Sequence, residues 1–66
     1  AKMQWEELRS ERGTDNLVKY NMKTKFPSEA TIEHPKFGTG FVTEMTPAKI
    51  TVVFEDEIRD LVHNRG

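Results

Sequence analysis

Few side chains in this chain of 66 residues could carry out chemistry. The imidazoles are His34 and His63, the serines are Ser10 and Ser28, and there is no cysteine. A serine or cysteine nucleophile needs a base within hydrogen-bond reach and a third group to orient that base. No Ser-His-acid order supplies one here. Glu55-Asp56-Glu57 sets three acids in a row, but between two apolar runs they read as a solvated turn rather than as catalytic acids. Two histidines and scattered carboxylates also lack the helical or loop spacing that gathers metal ligands, so neither a metal nor a cofactor is expected. Gly38-Thr39-Gly40 would present backbone N–H groups to a phosphate only ahead of a helix N-terminus or within a longer glycine loop. A β-type run follows instead, so Pro35, Gly38 and Gly40 read as a structural corner. The inventory points to a chain that is not an enzyme.

Recognition chemistry is better represented. Phe37, Phe41 and Phe54 could form a cage for a methylated cation. Such cages favour exposed Tyr and Trp, so core packing is the default for Phe54, with either Phe37 or Phe41 left at the surface. Lys19, Tyr20, Lys23 and Lys25, ahead of Phe26, interleave positive charge with aromatic rings as single-strand nucleic-acid binders do. The charge balance weighs against that use for the rest of the chain. Residues 1–26 carry six positive and four negative side chains, whereas residues 27–66 carry four positive and seven negative. Affinity for nucleic acid comes mainly from neutralised phosphates. The acidic part suits a basic protein surface.

The elements that must position these residues are short. Met3 to Arg12 has helical spacing, with Trp5 and Leu8 on one face, Arg9 and Arg12 at its end and Gly13 just beyond. Two apolar anchors cannot hold an isolated helix, so it must dock or fray, and Trp5 and Leu8 also offer a route to self-association. Asp15-Asn16 reads as a cap for a helical turn through Leu17, Val18 and Tyr20, followed by a basic linker to Lys25. Phe26-Pro27-Ser28-Glu29 predicts a turn. A first strand, 30–34, ends where Pro35 forbids further pairing. Strands at 40–45, 49–54 and 58–62 follow, with a proline turn at Thr46-Pro47-Ala48. Within the third, Ile50, Val52 and Phe54 should face inward, and Thr51 and Val53 outward. His63-Asn64-Arg65-Gly66 reads as a frayed end or the start of a continuation, with His63 at the surface. The chain thus divides into a helix and linker, 1–25, and a β unit, 26–66. Its fold class is mostly β, a small SH3-like barrel of four to five antiparallel strands with a short N-terminal helix.

The run His34-Pro35-Lys36-Phe37-Gly38-Thr39-Gly40-Phe41-Val42, then Lys49-Ile50-Thr51-Val52-Val53-Phe54, then Leu61, resembles two related bacterial modules. One is the Tudor-like C-terminal domain of UvrD/PcrA-type helicases. The other is the RNA-polymerase-interacting domain of CarD-like proteins and the transcription-repair coupling factor. The resemblance spans residues 26–62 and leaves the Trp5 segment outside. It departs at Ser28-Glu29, where family members often carry Gly-Asp. It implies a Tudor/SH3-like barrel of five strands that binds protein, in several members the RNA polymerase β subunit, partly through a strand edge. On the residues themselves, the third strand and its neighbours are the expected docking edge, with partner contacts on Thr43, Thr51, Val53, Phe37 and Phe41. The alternative is a nucleic-acid-binding barrel using Lys19, Tyr20, Lys23 and Lys25. With no run of about 18 apolar residues to span a bilayer, a cytoplasmic location is expected.

Overall fold

A computed structural model describes residues 2–27 and 29–64. Its elements are α1 (Lys2–Arg12), β1 (Leu17–Lys19), β2 (Thr31–His34), β3 (Gly38–Met45), β4 (Lys49–Phe54) and β5 (Ile58–Val62). The helix forms where the Trp5–Leu8 spacing placed it. Gly13, at φ +70°, ends it by donating its N–H to Arg9 O at 2.9 Å. Strand β3 begins earlier than glycine content alone suggests, because Gly38 already pairs with His34. The turn into β4 is tied by Thr46 N–H to Lys49 O at 2.8 Å and Lys49 N–H to Thr46 Oγ1 at 3.0 Å.

The five strands make one sheet in the order β1-β2-β3-β4-β5. Successive pairs from β2 to β5 are antiparallel as expected, but β1 runs parallel to β2, which corrects the expectation of antiparallel strands throughout. Leu17–Lys19 is therefore a strand and not the helical turn expected after Asp15-Asn16. Three residues carry no periodicity of their own. Their state is set by pairing with Thr31–Glu33, a contact remote in sequence. A parallel pair needs a long crossover, and residues 20–30 supply it, dropping Phe26 into the core on the way. The turn expected over 26–29 includes Ser28, outside the described residues; Ala30 N–H reaches Pro27 O at 3.2 Å.

Strands β1 and β5 are not paired with each other, so the sheet stays open where a closed barrel was expected. The crossover partly bridges the gap. Tyr20 Oη donates to Val62 O at 2.8 Å, and Asn64 N–H donates to Thr24 O at 2.9 Å. His63 lies under this bridge and is 1% exposed, which corrects its assignment to the surface. Its Nδ1 accepts the Phe26 N–H at 3.2 Å, which leaves Nε2 to donate to Thr46 O at 2.5 Å. Arg65 and Gly66, the rest of the segment expected to fray or continue, lie outside the described residues.

Both faces of the central strands are covered. On the inner face Phe26, Ile32, Val42, Ile50, Val52 and Phe54 form the core, flanked by Tyr20, Ala30, Phe37 and Leu61. On the outer face Thr31, Phe41 and Val53 lie side by side across β2, β3 and β4, and α1 packs over β3 and β4. Val53 and Phe41 are consequently 1% and 0% exposed, so neither is the surface contact that the sequence suggested. The signal was present. Val52-Val53-Phe54 and Phe41-Val42 are unbroken apolar runs, which mark strands buried on both faces.

The helix is fastened by side-chain bonds to two carbonyls of β3. The ladder between β3 and β4 stops at Gly40 and Phe54, and Thr39 O accepts the Trp5 indole N–H at 3.0 Å. Val42 N–H pairs with Ala30 O, but the Ala30 N–H is turned to Pro27 O; Arg12 donates to the remaining Val42 O at 2.7 Å. Between these ties the Trp5 ring meets Phe41 edge-on, centroids 6.1 Å apart. Trp5→Phe should lose only the indole bond, about 1 kcal/mol. Trp5→Ala should also uncover Phe41 and cost about 3 kcal/mol in urea denaturation. Equal losses from the two variants would show that the ring adds nothing beyond its N–H.

Candidate interaction surface

The corner between β2 and β3 is organised by His34. Its Nδ1 accepts the N–H groups of Lys36 at 3.0 Å and Phe37 at 3.3 Å, folding the chain back after Pro35. The imidazole then stacks on Tyr20 at 5.0 Å and tilts against Phe37 at 4.7 Å, and Phe37 lies 5.3 Å from Phe54. Phe37 is the half-buried member of the pair expected to leave one ring near the surface. Its ring is already engaged by the chain's own cations, Arg59 at 4.4 Å and Lys36 at 5.7 Å from the centroid. That contact occupies the position a methylated cation would take in an aromatic cage.

Burial first, then the positive charges of Arg59 and Lys36, lower the His34 pKa below its ordinary 6.5. Both the geometry and the field favour a neutral ring, since a proton on Nδ1 would displace two backbone donors. The unfolded chain therefore takes up this proton first as pH falls. Stability should be complete above about pH 6.5 and decline as pH drops from there toward the lower folded-state value. Urea midpoints at pH 7 and pH 5 will check this. His34→Phe keeps a stacking ring and should flatten the slope; an unchanged slope would assign the pH dependence to another group.

The remaining site residues separate into two groups. Thr43 sits at the β-bulge between Val42 and Glu44, half-buried, with Oγ1 donating to Thr51 O at 3.4 Å. Thr51 is half-buried on the outer face and donates to Asp60 Oδ1 at 2.9 Å. Lys19, Lys23 and Lys25 are exposed around the crossover. Tyr20 does not join them as a stacking platform. Its ring lies between Phe26 and His34, its hydroxyl is bound to Val62 O, and burial raises its pKa. Trp5 and Leu8 are half-buried, and Trp5 is spent on the chain's own sheet.

Strand β4 was the expected docking edge, yet both of its sides are paired, to β3 and β5. The free edges are β1 and β5. Along β5, the bonds Phe54 N–H to Glu57 O and His63 N–H to Ala48 O fix the antiparallel alternation. Glu57, Arg59, Leu61 and His63 turn their backbone groups inward to the sheet, so Ile58, Asp60 and Val62 turn theirs outward. In β1, Tyr20 N–H to Glu33 O sets the parallel pattern and leaves Leu17 and Lys19 facing outward. Exposed apolar side chains accompany both edges, with Ile58 at 51%, Val18 at 46% and Leu17 at 38%. Sequence reasoning missed Ile58, Asp60 and Leu17 because an edge is defined by what fails to pair.

No helix among the described residues is long and apolar enough to cross a membrane. No protein-family model, curated protein or solved structure matches the chain.

Proposed function

We propose that the chain is a non-catalytic protein-interaction module that docks onto a partner through a free strand edge. The observation that carries this reading is the open sheet, whose outermost strands keep unpaired backbone donors and acceptors beside exposed Ile58, Leu17 and Val18. An extended segment laid along such an edge gains main-chain hydrogen bonds, and alternate side chains give selectivity. The resemblance of the corner and hairpin to CarD-like and UvrD/PcrA-type modules favours a cytoplasmic partner in bacterial transcription or DNA repair, with RNA polymerase the foremost candidate. The crossover lysines favour nucleic acid less, because Tyr20 is committed to the core.

The test is retention of purified bacterial RNA polymerase on the immobilised chain. Ile58→Pro and Leu17→Pro each remove one outward N–H from an edge while sparing the ladder. Retention by the parent chain and loss in one edge variant is the expected result. Equal retention by both variants would exclude edge docking, and no retention by the parent chain would exclude the polymerase.

A further inference from the structure

The two free edges differ in charge and in how much of each is already used. The β1 edge carries Lys19, with Lys23 and Lys25 exposed along the crossover that follows. The β5 edge is acidic. Asp60 lies on it, and Glu55, Asp56 and Glu57 form the turn that leads into it. Arg59 neutralises one of these acids, Glu57, and leaves Glu55, Asp56 and Asp60 to set the sign of this side. Its guanidinium is folded over Phe37 at 4.4 Å, and its Nε is bound to Glu57 Oε1 at 2.7 Å.

One end of the β5 edge already holds a segment of the chain itself. Val62 O accepts the Tyr20 hydroxyl, and Asn64 N–H reaches Thr24 O, so the crossover is tied to this end of the edge at Tyr20 and Thr24. Beyond that contact the edge is open at Ile58 and Asp60. Exposed Ile58 supplies an apolar contact between the acids.

We propose that the open part of β5, Ile58 to Asp60, accepts an extended basic segment of a partner protein, which adds a strand beside β5 and places lysine or arginine against Asp60 and the 55–57 turn. This rests on the edge-docking reading and names the edge and the partner's chemistry. The outward N–H and C=O groups of Ile58 and Asp60 provide the main-chain bonds. The acids select the sign of the segment, and Ile58 favours an apolar residue at alternate positions.

The experiment titrates the isotope-labelled chain with the blocked hexapeptide Lys-Val-Lys-Val-Lys-Thr, and separately with its counterpart carrying Glu for Lys. Amide shifts and hydrogen exchange are read at both edges. The lysine peptide should shift and protect Ile58 and Asp60, and the glutamate peptide should not. Asp60→Lys should weaken binding by about fivefold. Ile58→Pro, which leaves the ladder to β4 intact, should abolish protection at Asp60, and the dispersion of each variant's spectrum confirms that it is folded. Shifts confined to Leu17–Lys19 would overturn the assignment to β5 while leaving edge docking in place. Silence at both edges with both peptides would overturn the two together. Concentration-dependent shifts of Ile58 and Asp60 without peptide would overturn the proposal in favour of a second copy's β1.

Discussion

Gly40→Ala is expected to lower the stability of this chain by about 2–3 kcal/mol, the upper part of the range for overpacking a well-filled core. An alanine Cβ at this position would lie 2.5 Å from Val52 Cγ1 and 2.6 and 2.8 Å from two carbons of the Phe54 ring. Neither neighbour has room to give way. Gly40 stands opposite Phe54 in β4 and Ile32 in β2, and these two side chains and Val52 all belong to the core. A domain of this size has a total stability of order 3–10 kcal/mol, so the substitution removes a large part of it. The melting temperature should fall by about 10–20 °C. Gly38 provides the contrast. An alanine Cβ there meets nothing within 4 Å, and the obstacle is the backbone at φ +81°. Gly38→Ala should cost about 1–2 kcal/mol, and Gly38→Asn less, because asparagine tolerates the left-handed region. If Gly40→Asn proves as mild as Gly38→Asn, the packing explanation for Gly40 is wrong.

His63→Ala should cost about 3 kcal/mol, again measured by urea denaturation at neutral pH. The ring is a bridge between two parts of the chain that no strand ladder joins. Nδ1 satisfies the buried Phe26 N–H, and Nε2 meets Thr46 O in the turn before β4. Removing the imidazole leaves both groups without their partner, at about 1–3 kcal/mol for a buried orphan, and opens a cavity beside Phe26. His63→Phe separates the two contributions, since it fills the space and restores neither bond. It should recover only the cavity part. A loss below about 1 kcal/mol in His63→Ala would mean that water takes over both bonds.

These two residues also mark how far the sequence could be read. Gly40 was assigned to a corner that shapes the fold, and its role is indeed geometric, though through side-chain clearance more than through its own conformation. His63 was placed at the surface because it lies near the chain end and belongs to no periodic run. Nothing local to it announces that residues 20–26 return beside it. The same physical reason lies behind the other corrections. Leu17–Lys19 became a strand through Thr31–Glu33, and Val53 and Phe41 became buried through a helix some 30 to 50 residues away in the chain.

By itself, the sequence determined the helix, the hairpins from β2 to β5 and the inward set Ile50, Val52 and Phe54. Each of these depends on spacing, turn residues or alternation within about a dozen neighbouring positions, where local physics acts. It also made the class legible as mostly β with a short N-terminal helix. The tertiary structure decided what closes against what. It left β1 and β5 unpaired, covered the second face of the sheet with α1, and folded Arg59 onto Phe37. As a result Ile58 and Asp60, unremarked in the sequence, become the open edge. An edge exists only when every other strand has found its neighbour, and that is a property of the assembled sheet.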